Sequence, residues 1–191
     1  MVQPSETIDC QDYVLRRWRA ESDFDALFRM IDESLDHLRP WMPWVAGHSH
    51  RHTREFLADC EAKWRSGEAY YYAITVDDAL VGSISLYRAD EPRGRFMGYW
   101  LHPAAVGRGL ATRAAAAVVT EAFASLPDVE YLEIVHDLAN TASGAVPRRL
   151  GFTEVRREQV ASPVAPGDSG TDVIWRLNRP RSPLAGTARL P

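Results

Sequence analysis

The chain is predicted to fold as a single α+β domain built on a mixed β-sheet. It has 191 residues, of which 46% are hydrophobic and 25% charged, so one domain can bury a core of its own. Three consecutive runs of β-branched and aromatic residues, separated by short turns, indicate antiparallel strands in the middle of the chain. Strand and helix patterns then alternate, which is typical of crossover connections. The order β-α-α-β-β-β-α-β-α-β-β therefore predicts a mixed sheet flanked by about four helices.

The N-terminal part is expected to form one strand and two helices. Residues 13–18 (YVLRRW) are predicted as the first strand. Ser22 is a candidate cap for a first helix, which should end before Pro40. Two prolines and a glycine predict that residues 39–52 form an aromatic loop, and Thr53 is the expected cap of the second helix.

The remaining elements follow from turn residues and periodicity. Residues 69–76 and 80–87 should form a hairpin through Asp77-Asp78. The later predictions are strand 95–102, helix 107–126, strand 129–136, helix 140–150, and strands 152–160 and 173–177, with a Pro/Gly/Ser loop at 162–171. Residues 1–178 are expected to form the domain, and residues 179–191, with three prolines, a flexible tail.

Composition argues against several classes of protein. A formal net charge of -4 and a pI near 5.9 disfavour a general nucleic-acid binder, which needs a basic surface. Cys10 and Cys60 lie in no paired motif and are expected to be free thiols in a reducing compartment. No apolar run is suited to a signal peptide or to a membrane span of about 18 residues. A cytoplasmic protein without a membrane partner is the expectation.

The segment with the clearest chemistry is residues 99–112 (YWLHPAAVGRGLAT), where a strand passes through a glycine-containing loop into a helix. The first N–H groups of such a helix lack intrahelical acceptors, and the helix dipole makes that end positive. Gly107 and Gly109 would let a pyrophosphate approach the backbone, and Arg108 adds a cation. A plain glycine-bearing turn is the simple alternative. A P-loop is disfavoured because Leu110, rather than lysine, follows Gly109.

Several motifs together resemble the GNAT acetyltransferase superfamily. Residues 104–109 match both glycines of its Gln/Arg-x-x-Gly-x-Gly/Ala pattern, although Ala104 replaces the leading Gln/Arg. Residues 140–152 (NTASGAVPRRLGF) resemble its Asn-x-x-Ser…Leu-Gly-Phe signature. Residues 98–101 (GYWL) and 37–44 (HLRPWMPW) resemble the Rim-type subgroup, which includes enzymes that acetylate ribosomal-protein N-termini.

The resemblance implies a GNAT-like sheet whose parallel strand pair splays apart to admit the pantetheine arm of acetyl-CoA. It implies that a backbone N–H near Leu101 polarises the thioester carbonyl and that an amine attacks directly. Asn140 would bind the pantetheine amide, and Ser143 would donate a proton to the departing thiolate. Simple alternatives are a helix cap for Asn140 and an early-helix serine for Ser143. The implied acetyl-CoA ligands are Trp100, Leu101, His102, Val106, Gly107, Arg108, Gly109, Leu110, Ala111, Thr112 and Asn140.

The general base is not determined by the sequence. Many relatives carry a glutamate two residues before the Gly-Tyr pair, where this chain has Phe96. The candidates near the cleft are Glu133, His102, His136 and Asp137, and a water relay is also possible. Glu133, which is predicted to lie on a strand, could equally well form an ion pair with an arginine.

Two aromatic or histidine-rich features need an interpretation of their own. The spacing of His48, His50 and His52 suggests a metal site, but no cluster of Cys or carboxylate residues would complete the metal coordination. A solvated loop without metal is therefore expected. Trp41 and Trp44, kept out of regular structure by prolines, are expected to wall the pocket of the acceptor amine.

The leading functional hypothesis is acetyl transfer from acetyl-CoA to a primary amine, either a protein N-terminus or a small amine. The alternative is a non-catalytic acyl-CoA-binding or sensing module, which the departures at Ala104 and Phe96 keep open. A homodimer is implied only by the family resemblance.

Overall fold

Eight strands form one mixed sheet in the computed structural model, which describes residues 2–89, 91–161 and 165–180. The strands are β1 (Thr7–Asp9), β2 (Val14–Arg17), β3 (Ala69–Val76), β4 (Ala79–Arg88), β5 (Gly94–Leu101), β6 (Tyr131–Asp137), β7 (Thr153–Gln159) and β8 (Thr171–Asn178). The helices are α1 (Phe24–Leu38), α2 (His50–Ser66), α3 (Leu110–Ser125) and α4 (Thr141–Arg149), and two 3-10 turns span Pro43–Gly47 and Pro103–Ala105.

The order of strands across the sheet is β1-β2-β3-β4-β5-β6-β8-β7. All neighbours pair antiparallel except β5 and β6, which are parallel. The predicted α+β mixed sheet with four helices is therefore confirmed. The sequence prediction missed β1, because a three-residue polar strand is too short to show an alternating pattern.

The hairpin between β3 and β4 forms as predicted. Asp77 and Asp78 both have left-handed backbone angles, with φ of 49° and 63°. Positive φ at both central residues suits the twist of a two-residue hairpin, and Asp tolerates that region better than most side chains.

The predicted caps of the first two helices were both wrong. Asp23 rather than Ser22 precedes α1, and its carboxylate bonds the guanidinium of Arg16 at 2.7 and 2.8 Å instead of capping the helix. Helix α2 begins before Thr53, since Ser49 Oγ accepts the His52 N–H at 3.3 Å. A cap placed four residues earlier shortens the predicted aromatic loop and turns its end into helix.

The helices cover opposite faces of the sheet. Successive strand residues point to opposite sides. Tyr72 and Ile74 of β3 accordingly pack in the core under α3, while Ala73 packs with Leu27 of α1 and Cys60 of α2. Cys60 is thus a buried core residue.

The C-terminal end of the described chain is fixed to the rest of the domain. The Arg179 guanidinium donates to the backbone carbonyls of Leu126 at 2.6 Å, Val129 at 2.7 Å and Phe123. The predicted tail beyond residue 180 and the loop residues 162–164 lie outside the described residues. No helix of the described segments is long and apolar enough to cross a membrane.

Candidate active site

A gap opens between the two parallel strands at the centre of the sheet. The β5–β6 register covers only three pairs, from Gly94↔Tyr131 to Phe96↔Glu133. Strand β5 continues to Leu101 and β6 to Asp137, but the two no longer pair. The splayed parallel pair that the family resemblance implied is therefore present.

The backbone of β5 faces this gap on one side. The His102 N–H donates to Val81 O at 2.8 Å, on the β4 side. Since backbone groups alternate in direction along a strand, the Leu101 N–H points to the other side, into the gap. This orientation is the one required by the role that the family resemblance implied for a backbone N–H near Leu101, which stays a prediction.

The loop after β5 holds two glycines in left-handed conformation. Gly107 has φ of 78° and Gly109 has φ of 71°, and an added Cβ at either would meet no atom within 4 Å. The first intrahelical bond of α3 runs from Arg113 N to Gly109 O. The three preceding N–H groups therefore face the loop without an intrahelical acceptor. The helix was predicted to start at residue 107, but positive φ keeps both glycines outside it.

A cleft of about 730 Å³ lies between the end of β5 and the N-terminal turns of α3 and α4. Its wall includes most of the residues proposed as acetyl-CoA ligands, namely Trp100, Leu101, Val106, Gly107, Gly109, Leu110, Ala111, Thr112 and Asn140, together with Ser143. The wall does not include His102 or Arg108. Its cations come instead from Arg113, which pairs with Asp12 at 2.6 Å, and from Arg149.

The start of α4 brings the proposed catalytic side chains together. Asn140 Oδ1 accepts the Ser143 N–H at 3.1 Å, so Asn140 caps the helix. The Tyr99 hydroxyl donates to Ser143 O at 2.9 Å and lies 3.3 Å from Ser143 Oγ. Burial raises the pKa of Tyr99 to about 12, although the hydrogen bond with Ser143 opposes the shift. Sequence reasoning gave Tyr99 no role, because only the fold places it against α4.

A glycine lets α4 approach β6 this closely. A Cβ at Gly144 would lie 2.6 Å from two atoms of the His136 ring. That ring is buried, with Nδ1 2.7 Å from Asp137 O and Nε2 accepting the Trp175 indole N–H at 3.0 Å. These contacts assign the proton to Nδ1 and leave His136 no nitrogen for substrate.

The other candidate bases are also engaged with the protein. Glu133, 2% exposed, accepts from Arg176 Nε at 2.9 Å. Asp137 accepts the Ser169 N–H at 2.9 Å; burial acts to raise its pKa, but its hydrogen bonds prevail and lower it. His102 Nδ1 accepts from Ala104 N at 3.2 Å. Among the described residues, His102 Nε2 has no hydrogen-bond partner and lies 3.4 Å from Glu33 Oε2, but His102 is not part of the cleft wall.

A second cavity, of about 510 Å³, lies on the other face of the sheet, between α1, α2 and strands β3 to β5. Aromatic rings form much of its wall, which includes Trp44, Phe56, Tyr71, Tyr87 and Trp100, and His48, His52 and Thr53 lie on the same wall. The Trp44 and Trp100 rings lie 5.8 Å apart. Tyr99, Trp100 and Met42 line both cavities, which therefore meet at the gap. Trp41 lines the first cleft, so the two tryptophans expected together lie on different cavities.

The three histidines His48, His50 and His52 lie at the N-terminal end of α2. His50 and His52 lie in its first turn, and the rings of His48 and His50 stack on Phe28 at centroid distances of 4.6 and 4.0 Å. The expected loop was therefore wrong from His50 onward, where the chain is helical, whereas the expected exposure to solvent holds for His50 and His52. Across the described residues, no group of three His, Cys, Asp or Glu side chains could hold a metal ion.

Comparison with known proteins identifies the family. Residues 13–153 match the family model described as acetyltransferase (GNAT) domain. The chain belongs to the GNAT acetyltransferase family. The "Putative ribosomal N-acetyltransferase YdaF" of Bacillus subtilis (strain 168) is 27% identical over 151 residues, which cover 78% of this chain and 82% of that protein.

Solved structures of acetyltransferases share the fold. A RimL ribosomal L7/L12 alpha-N-protein acetyltransferase in complex with coenzyme A has a TM-score of 0.83 at 25% identity, covering 91% of this chain and 98% of its own. The microcin C7 self immunity acetyltransferase MccE, in complex with acetyl-CoA and AMP, has a TM-score of 0.81 at 20% identity, covering 88% and 93%. The expected acetyl-CoA-dependent acetyltransferase fold is thus confirmed.

Proposed function

We propose that this GNAT protein transfers the acetyl group of acetyl-CoA to the α-amine of a polypeptide N-terminus, by direct attack within a ternary complex. One observation carries the proposal: the β5–β6 gap joins a cleft suited to coenzyme A on one face of the sheet to an aromatic cavity on the other. Donor and acceptor can therefore reach the same point from opposite sides.

The donor set of the cleft fits acetyl-CoA. Two left-handed glycines and the free N–H groups at the start of α3 would form an anion site, and Arg149 adds positive charge to the cleft wall, whereas Arg113 is paired with Asp12. The free edge of β5 offers backbone groups to the amides of pantetheine. The Leu101 N–H, which points into the gap, would polarise the thioester carbonyl.

The reaction needs one new bond and one proton donor. The amine nitrogen bonds to the thioester carbon, the C–S bond breaks, and the amine proton passes to water. The Ser143 hydroxyl would protonate the departing thiolate, with its proton replaced from Tyr99 Oη, 3.3 Å from Ser143 Oγ, and Tyr99 would regain a proton from the water that accepted the amine proton. The products are an N-acetylated chain and coenzyme A with a free thiol.

The lack of a carboxylate on the wall of the aromatic cavity favours an α-amine over lysine. In the described residues this wall contains no Asp or Glu, and Glu133, His136 and Asp137 are engaged with the protein. The wall does contain His48 and His52, but burial lowers the pKa of His48 and makes it a weaker base. An amine that is already neutral on arrival is therefore the better nucleophile for this site. With a pKa of about 7.8, roughly a third of α-amines are neutral at pH 7.5, against about one in a thousand lysines with a pKa of about 10.4. The names of the RimL and YdaF relatives point to the same class of acceptor.

The test is release of coenzyme A thiol with a panel of peptides. A peptide with a free α-amine should be acetylated, whereas a peptide with a blocked N-terminus and one lysine should not. The kcat/KM should rise about tenfold per pH unit below the pKa of the amine and level off above it. Because the Tyr99 pKa lies near 12, no falling limb is expected below about pH 11.

Two results would contradict the proposal. Faster acetylation of the lysine peptide would place a base in the site. Binding of acetyl-CoA without thiol release above the buffer rate, for any amine, would favour the alternative of a sensing module. Homodimerisation stays a prediction, tested by the mass of the protein in solution.

A further inference from the structure

We propose that the acceptor chain begins with a large apolar residue, above all an aromatic one, whose side chain enters the cavity between α1, α2 and the sheet. This inference rests on the proposed function and adds the class of the first residue. It follows from the size of the cavity, the chemistry of its wall and the arrangement of its rings.

The cavity is large for a small first residue. Its volume of about 510 Å³ is many times what a single water molecule needs. A serine side chain has two heavy atoms and would leave most of this space to water, whereas a phenyl or indole group fills a substantial part of it. The free energy gained by filling a cavity with an apolar group grows with the apolar area removed from water.

The wall offers no ion pair to a charged first residue. Within the described residues it contains no Asp, Glu, Lys or Arg. Its serine hydroxyls already donate to the backbone: Ser83 Oγ to Tyr72 O at 3.2 Å, and Ser85 Oγ to Gly98 O at 3.3 Å. A charged side chain entering here would lose its hydration without gaining an ion pair. His48 Nε2 and Thr53 Oγ1 are buried without a hydrogen-bond partner in the described part of the chain, so a ring that carries one polar group, such as tyrosine or tryptophan, can also be bound.

The rings of the wall are arranged to receive another ring. Phe56 and Tyr71 form an edge-to-face pair with centroids 5.6 Å apart, and Trp44 is tilted by 52° against Trp100. Trp44 is 43% exposed, so an incoming side chain can cover a ring that now faces solvent. Edge-to-face and offset contacts between rings add to the gain from burial.

The direct test compares peptides that differ only in the first residue, Ser against Phe, at pH 9, where both α-amines are mostly neutral. The Phe peptide should have a kcat/KM at least tenfold higher, which corresponds to about 1.4 kcal/mol. Equal values, or a preference for Ser, would overturn the inference while leaving the proposed function standing. Acetylation of neither peptide would count against the proposed function itself.

Two variants of Ser85 test whether the preference for Phe over Ser at the first residue arises in this cavity. Ser85→Phe places a ring in the cavity and should reduce the Phe-to-Ser ratio of kcat/KM to about one. Ser85→Ala removes the same hydroxyl without filling the space and should keep the wild-type ratio. An unchanged ratio in a folded Ser85→Phe protein would show that the first side chain binds elsewhere. Thermal unfolding and acetyl-CoA titration check the fold, and if Ser85→Phe does not fold, the wild-type ratio still decides.

Discussion

The two cavities that meet at the β5–β6 gap are built from different parts of the chain. The cofactor cleft is largely a backbone site, made by two left-handed glycines, the first N–H groups of α3 and the Leu101 N–H. The cavity proposed for the acceptor, called the acceptor cavity below, is a side-chain site made by aromatic rings from α2, β3, β4, β5 and the turn before α2. A backbone site tolerates little change in conformation, whereas a side-chain site can change its selectivity by substitution while the fold stays the same.

The largest expected effect lies where the two cavities meet. Ser143→Ala should lower kcat by roughly 10²-fold, at the low end of general-acid effects, because a thiol with a pKa of about 8.5 is already a fair leaving group. The acetyl-CoA affinity should stay close to wild type, since the hydroxyl acts on a thiolate that exists only as the thioester breaks.

Tyr99→Phe sharpens this prediction. If Tyr99 acts only by supplying Ser143, the double variant should be no slower than Ser143→Ala alone. Steady-state kinetics and cofactor titration on all three proteins give the answer. Full kcat in Ser143→Ala would make Ser143 a structural serine.

The next effect tests the backbone site. Gly109→Val should weaken acetyl-CoA binding at least tenfold, or about 1.4 kcal/mol, since it strains a position with φ of 71° and covers the backbone that a pyrophosphate needs. Gly151→Val is a matched control. It has φ of 76° with no atom within 4 Å of an added Cβ, but lies outside the cleft.

Both variants should lose stability, but only Gly109→Val should lose affinity. Calorimetric titration of the folded proteins separates the two effects. Equal affinity in both would remove Gly107 and Gly109 from the cofactor site.

The smallest expected effect concerns stability on the acceptor side. Burial lowers the pKa of His48 below 6.5, so the folded protein favours its neutral form. Its contribution to stability is present above about pH 6.5 and is lost as the pH falls through the lower pKa of the folded state. His48→Phe keeps a ring on Phe28 and should flatten the dependence of the unfolding free energy on pH between 7 and 5.

The same measurement on His37→Phe, at an exposed position of α1, is the control and should follow wild type. Chemical denaturation at several pH values measures both. A His48→Phe slope identical to wild type would show that His48 takes up its proton as readily in the folded as in the unfolded chain.

These regions also differ in how far the sequence predicts them. The cofactor cleft depends on local signals, since Gly107 and Gly109 lie in one short loop and Asn140 and Ser143 in one helical turn. Glycine before a helix and asparagine at its start have direct conformational meaning. Apart from β1, which was missed, the strands of the sheet and the four helices were likewise predicted to within a few residues.

The acceptor cavity depends on packing that no local pattern shows. Trp44 and Trp100 are 56 positions apart in sequence but have adjacent rings, and Trp41, three residues before Trp44, lies on the other cavity. Tyr99 was missed for the same reason. The predicted caps Ser22 and Thr53 were wrong because Asp23 and Ser49 precede the two helices instead. Cap propensity alone does not decide between such nearby candidates.

The proposal that one cavity binds acetyl-CoA and the other binds the acceptor is tested most directly by two measurements on Trp44→Ala. These are the Kd for acetyl-CoA by calorimetry and the KM for a peptide acceptor by thiol release. Trp44 is partly exposed and lines only the acceptor cavity, so the substitution should leave the fold intact. We expect the acceptor KM to rise severalfold while the acetyl-CoA Kd stays within twofold of wild type, roughly 0.4 kcal/mol. A Trp44→Ala protein that loses acetyl-CoA affinity as much as acceptor affinity, or neither, would contradict the assignment of the two cavities.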